Sequence, residues 1–116
     1  MRHRVKGKKL DRTKAPRVAM LKNLASSIII YEKVKTTEAK AKTVKPLLEK
    51  IITASIKGDL ASRRELIRLL PQPMAVKKAM EILAVKYKGR QGGYLRIIKL
   101  GKRAGDSAEM VQIELV

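Results

Sequence analysis

Cysteine, tryptophan and phenylalanine are absent from this chain of 116 residues, histidine occurs once, and three tyrosines supply all the aromatic content. Without cysteine there is no thiolate nucleophile, no disulfide and no cysteine-held metal, and His3 is the lone imidazole, so soft metal ligands are nearly gone. Tyr31, Tyr87 and Tyr94 amount to 3% of the chain, a poor supply for the platforms on which some RNA-binding modules stack splayed bases. Long apolar runs are missing too: the longest aliphatic one, Ile28 to Ile30, falls far below the roughly 18 residues of a membrane span. The opening is basic but no apolar stretch follows it, so no secretory signal is expected and a cytosolic chain is.

Acids are scarce as well. Ten face 28 lysines and arginines, for a formal net charge of +18 and a pI near 10.6. Such self-repulsion gives a free protein nothing, and a polyanionic partner relieves it. The acids are scattered singly, and most have a local use as a helix cap, a helix-dipole partner or a solvated strand position. No GxGxxG turn, no phosphate-binding P-loop and no convergent acid, base and nucleophile emerge, so catalysis, a cofactor and a small-molecule substrate are not expected.

What is present begins with MRHRVKGKKLDRTKAPR, seventeen residues holding nine cationic or imidazole side chains and one acid. Residues 1–12 have too little apolar area to offset the entropy of ordering. They read as an extended basic arm, disordered when free and able to span roughly 40 Å at about 3.3 Å per residue. Residues 13–116 read as one domain, since the length allows a single modest core.

Within that domain the period is first helical. A helix from about Ala15 sets Val18, Leu21, Leu24, Ala25 and Ile28 on one stripe. Tyr31 to Thr36 alternates and reads as a short strand. Thr36 or Thr37 can cap a second helix whose buried side is Val44, Leu47, Leu48, Ile51, Ile52 and Ser55, and Pro46 should kink it about one turn in. Gly58 suits the left-handed end of that helix and Asp59 the cap of a third, over about Leu60 to Leu70. Pro73 opens a fourth, with Val76, Ala79, Met80, Leu83 and Tyr87 inward. YLRIIKL and MVQIELV then form an antiparallel hairpin that the Tyr31 strand joins. Val111, Ile113 and Leu115 point inward, whereas the aliphatics of YLRIIKL have both parities. The expected fold is α+β, with about four helices packed on a small three-stranded sheet.

A lysine cluster such as Lys40, Lys42 and Lys45 can be no more than a solvated helix face. The density over residues 2–17 exceeds what solubility requires, and Gly7 allows close approach of backbone to a partner. Phosphate and shape recognition of nucleic acid is therefore the expected chemistry, with Lys88, Arg90, Lys102 and Arg103 extending the basic character along the chain.

Four segments in order, MRHRVKGKKLDR, Arg17 to Ala25 (RVAMLKNLA), Val34 to Lys42 (VKTTEAKAK) and GGYLRIIKLGKRAGDSAEMVQIELV, resemble the bacterial large-subunit ribosomal protein seventeen family over nearly the whole length. The resemblance implies a structural constituent of the large ribosomal subunit that binds and stabilises folded large-subunit ribosomal RNA, with neighbouring large-subunit ribosomal proteins as its other partners, in the cytoplasm and without enzymatic activity. Carried over onto this chain, it implies an RNA-threading set of Arg2, His3, Arg4, Lys6, Lys8, Lys9 and Arg12. It adds the pair Lys40 and Lys42, and a landmark at Arg90, Gly92, Gly93 and Tyr94; Arg17 is expected to bind RNA as part of the basic density over residues 2–17. Pro16 departs from the family pattern, in which a histidine before Arg17 is frequent. The competing expectation is a free nucleoid-type DNA- or RNA-binding protein, which the charge alone permits. Binding at an anionic membrane is disfavoured because the apolar stripes are committed to a core.

Overall fold

The charged opening gives way to helix at Lys14, where the first element of the computed structural model begins; residues 14–116 are described. The arm expected over 1–12, with Arg2, His3, Arg4, Lys6, Lys8, Lys9 and Arg12, lies outside the described residues. Helix α1 (Lys14–Tyr31) buries Ala25, Ile28 and Ile29 completely and rests Leu21, Leu24 and Ile30 against the same core. It runs further than the sequence suggests. Tyr31, expected to begin a strand, is the last residue of α1, because burial of Ile28 and Ile29 holds this β-branched run in helix against its own preference.

Glu32 ends the helix in the left-handed region (φ +67°), its amide donating to the Ile28 carbonyl at 2.8 Å. A non-glycine residue there is strained, and the surroundings fix it from several sides. Lys78 Nζ meets its carboxylate at 3.1 Å, Lys86 Nζ lies 3.9 Å from it, and its carbonyl accepts from the Leu115 amide at 2.9 Å.

Strand β1 (Lys33–Thr37) leads directly into helix α2 (Glu38–Lys57). Thr37 is the cap, its hydroxyl accepting from the Lys40 amide at 3.4 Å, and Glu38 sits at the positive end of the helix dipole. The helix continues through Pro46 and buries Ala41, Val44, Leu48, Ile51, Ile52 and Ser55. Gly58 closes it at φ +68° with its amide on the Ala54 carbonyl. Asp59 opens helix α3 (Leu60–Leu69) by accepting from the Ser62 amide at 2.7 Å.

After Pro71 and Gln72 the fourth helix, α4, covers residues 73–86. It starts as regular α-helix at Pro73–Lys78, widens to a π-helical stretch over Ala79–Leu83 where the Ala84 amide reaches back to the Ala79 carbonyl, and ends at Ala84–Lys86. Ala75, Val76, Ala79 and Leu83 are buried, followed by Tyr87.

Strands β2 (Leu95–Lys102) and β3 (Glu109–Leu115) pair antiparallel, and β1 pairs antiparallel with the other side of β3, giving the order β1-β3-β2. On β3, Val111, Ile113 and Leu115 are buried beneath the helices while Gln112 and Glu114 face away. On β2, Leu95 is buried and Ile97 partly so, whereas Ile98 and Leu100 are exposed. The architecture is α+β, helices on one face of a three-stranded sheet.

Candidate nucleic-acid interface

The sheet register decides which basic positions meet. Thr37 lies opposite Met110, Met110 opposite Gly101, and Lys102 opposite Glu109. The first turns of α2 and the tip of the β2–β3 hairpin therefore share one end of the sheet, where Thr37, Glu38, Ala39 and Lys42 face Ala108 and Glu109 across a shallow cleft. Lys40 and Lys42 thus join Lys102 and Arg103, some sixty residues later in the chain. The positive end of a 20-residue helix adds to the local potential.

Two of these four cations have internal partners. Lys42 Nζ sits 2.7 Å from the Glu38 carboxylate. Arg103 grips Asp106 with Nε at 3.0 Å and a terminal nitrogen at 2.6 Å. That grip, together with the Ala108 amide, holds the Asp106 carboxyl down to about 2 and raises the Arg103 guanidinium. Arg103 thus shapes the hairpin turn first. Among the described residues no ion pair engages Lys40 or Lys102.

Lys88 and Arg90 sit elsewhere, at the other end of the strands. A seven-residue strand at about 3.4 Å per residue separates the two ends by roughly 20 Å. The loop between α4 and β2 is tied by the Arg90 amide to the Tyr87 carbonyl at 3.0 Å and by the Tyr94 hydroxyl to the Arg90 carbonyl at 2.9 Å. Gly92 and Gly93, at φ +83° and +67°, make the turn that a side chain would strain. The result is an open cleft of about 460 Å³ between this loop and Thr53 and Ile56 of α2, with Arg90 on its rim.

Neither tyrosine of that region offers a stacking surface. Tyr87 and Tyr94 are buried with ring centroids 5.1 Å apart. The Tyr87 hydroxyl donates to the Val116 carbonyl at 2.8 Å, and burial, seconded by Glu32, pushes its phenol up.

Arg17 stands on the first turn of α1. On the sheet face away from the helices lie three further cations that the sequence reading did not single out, Lys33, Lys35 and Arg96. The alternation in KVKTT carried that signal. Among the described residues no three His, Cys, Asp or Glu side chains cluster as metal ligands, and no helix is long and apolar enough to cross a membrane.

The family model for ribosomal protein L17 matches residues 20–116. Similar proteins include the large ribosomal subunit protein bL17 of Hydrogenobaculum sp. (strain Y04AAS1), 49% identical over 100% of this chain and 99% of that protein. Those of Orientia tsutsugamushi (strain Ikeda), at 49% identity, and Zymomonas mobilis, at 48%, also align with 100% of this chain and with 80% and 83% of their own lengths. Helices on one face of a three-stranded sheet, basic clusters at both of its ends and a match of this extent have one consistent reading: this chain belongs to the ribosomal protein L17 family.

Proposed function

We propose that the chain is a structural constituent of the large ribosomal subunit, where it binds and stabilises folded large-subunit ribosomal RNA, and that it is not an enzyme. The observation that carries the RNA-binding mode is the grouping of cations on a rigid body. Lys40, Lys42, Lys102 and Arg103 stand at one end of the sheet, and Lys88 and Arg90 about 20 Å away at the other. Separated cationic points on a fixed frame bracket backbone phosphates and release their counterions, while the arm, ordered on contact, screens phosphates that would otherwise repel. Its place is the cytoplasmic ribosome, beside neighbouring large-subunit ribosomal proteins, to which exposed Tyr31, Met74, Ile82 and Val85 offer apolar contact area.

The test is salt dependence. Deleting residues 2–12 removes six lysines and arginines and should leave the domain folded while flattening the slope of log affinity against log salt by up to about 5, at about 0.9 per phosphate. Equal slopes for full-length and shortened chains on refolded large-subunit ribosomal RNA would remove the arm from the mechanism. Co-sedimentation with large subunits through a moderate-salt gradient checks the assembly itself.

A further inference from the structure

Helices α1 and α2 cover one face of the sheet, and no described residue covers the other. On that open face the register lines up Lys33, Glu114 and Arg96 in one row and Lys35, Gln112 and Ile98 in the next. Leu100 sits at the bulge between Lys99 and Gly101. Lys33 and Lys35 are exposed, and Ile98 and Leu100 are 41% and 47% exposed. The one acid, Glu114, is mostly covered and held by Arg96 at 3.2 Å.

A strand face that merely meets water has no need of two neighbouring aliphatics in the open, or of a charge balance this one-sided. Here both edge strands carry cations, β2 adds the exposed Ile98 and Leu100 along its own edge, and the middle strand β3 contributes Met110, the Gln112 amide and the Arg96-held Glu114 between them. The outer strands run about 10 Å apart, at just under 5 Å per neighbour, and flexible lysine stems extend that span. No tyrosine lies on these strands, so splayed single-stranded bases find nothing to stack on. The shape that fits a flat surface with cations at both edges is the wide, shallow minor groove of A-form RNA, which shows ribose edges and 2′-hydroxyls between two phosphate rows.

We infer that the open face of the sheet is a further RNA-docking surface that receives double-helical RNA across its minor groove. Lys33 and Lys35 meet phosphates of one strand and Arg96 those of the other. Ile98 and Leu100 rest against ribose edges, and the Gln112 amide bonds 2′-hydroxyls. The inference rests on the RNA-binding reading above and adds a face that neither basic cluster includes.

The test uses the full chain and two probes, an RNA duplex of about 16 base pairs, the length one double-strand-binding module covers, and a single strand of the same length. The double variant Lys33→Gln, Lys35→Gln should flatten the salt slope on the duplex by about 1.8. At about 0.15 M salt that corresponds to roughly thirtyfold in affinity, from 0.9 per phosphate contact. Binding to the single strand should change much less. Ile98→Ser should weaken duplex binding without altering the slope. Both lysines are exposed, so the urea midpoint should not move. The double variant Lys88→Gln, Arg90→Gln serves as reference. A slope lowered there and unchanged in the sheet-face variant overturns this inference while RNA binding stands; slopes unchanged in both overturn the two together. A photo-crosslinker at position 35 that labels protein rather than RNA in assembled subunits also overturns it.

Discussion

Ser26 and Ser55 are both buried in the core, yet only one has a partner. Ser55, 1% exposed on α2, donates to the Ile51 carbonyl at 2.9 Å. The Ser26 hydroxyl, fully buried on α1, has none among the described residues. Removing an unmatched buried hydroxyl should return about 1–3 kcal/mol. Alanine adds about 0.5 kcal/mol of helix propensity, and the void left by one oxygen subtracts less than about 1 kcal/mol. Ser26→Ala should therefore be more stable than the parent by about 0.5–3.5 kcal/mol, centred near 2 kcal/mol. Ser55→Ala loses a bond worth about 0.5–1.5 kcal/mol and regains about 0.5 in propensity, leaving it level or slightly destabilised. Urea unfolding followed by far-ultraviolet circular dichroism resolves the difference. At a mid-range slope of about 2 kcal/mol per M, the central value for Ser26→Ala moves the midpoint up by roughly 1 M, and its melting temperature should rise by about 4–8 °C per kcal/mol. A Ser26→Ala midpoint at or below that of the parent refutes the reasoning, since it means the hydroxyl is satisfied after all.

The junction between α2 and α3 and the acid limb of stability provide two further checks. Asp59→Ala should cost about 1 kcal/mol through the lost cap, and Gly58→Ala about 1–2 kcal/mol because a side chain is strained at φ +68°; the urea midpoint measures both, and an unaffected Gly58→Ala would deny the left-handed closure. The carboxyls of Asp106, Glu32, Asp59 and Glu65 are held below their ordinary values, first by hydrogen bonds to Arg103, Lys78, Ser62 and Arg68 respectively, with Asp106 at about 2. A carboxyl more acidic folded than unfolded contributes stability above its unfolded value near pH 4 and loses it as pH falls through the folded one. Stability should thus hold from neutrality to about pH 4.5 and decline toward pH 2. Asp106→Asn should make that decline shallower, read as urea midpoints at neutral pH and near pH 3.

How far the sequence discloses the fold depends on whether the deciding interaction is local. Gly58 and Asp59 are legible because cap chemistry involves residues one turn away, and Val111, Ile113 and Leu115 because period two over a half-buried strand leaves no other choice. Tyr31 misleads because IIIY has strand propensity, while the burial that keeps it helical comes from elements far along the chain. YLRIIKL stays ambiguous because β2 is an edge strand with a bulge, which leaves Ile98 and Leu100 outward. The π-helical stretch in α4 has no local signature in AMEIL. The same division holds for the candidate binding residues. Their charge is visible at once, but the convergence of Lys42 with Lys102 depends on strand register, and Lys33 and Lys35 acquire a role only when the uncovered face of the sheet is known.

The middle strand of the sheet is the last in chain order, and this sets a schedule for synthesis. β1 and β2 do not touch each other; each bonds only to β3. On a translating ribosome that adds about 5–20 residues per second, β1 emerges some seventy residues, or roughly 4–14 s, before the strand it pairs with among the described residues. Helices can form as they appear, but the sheet closes in a single late event, when β3 slides between two strands already waiting.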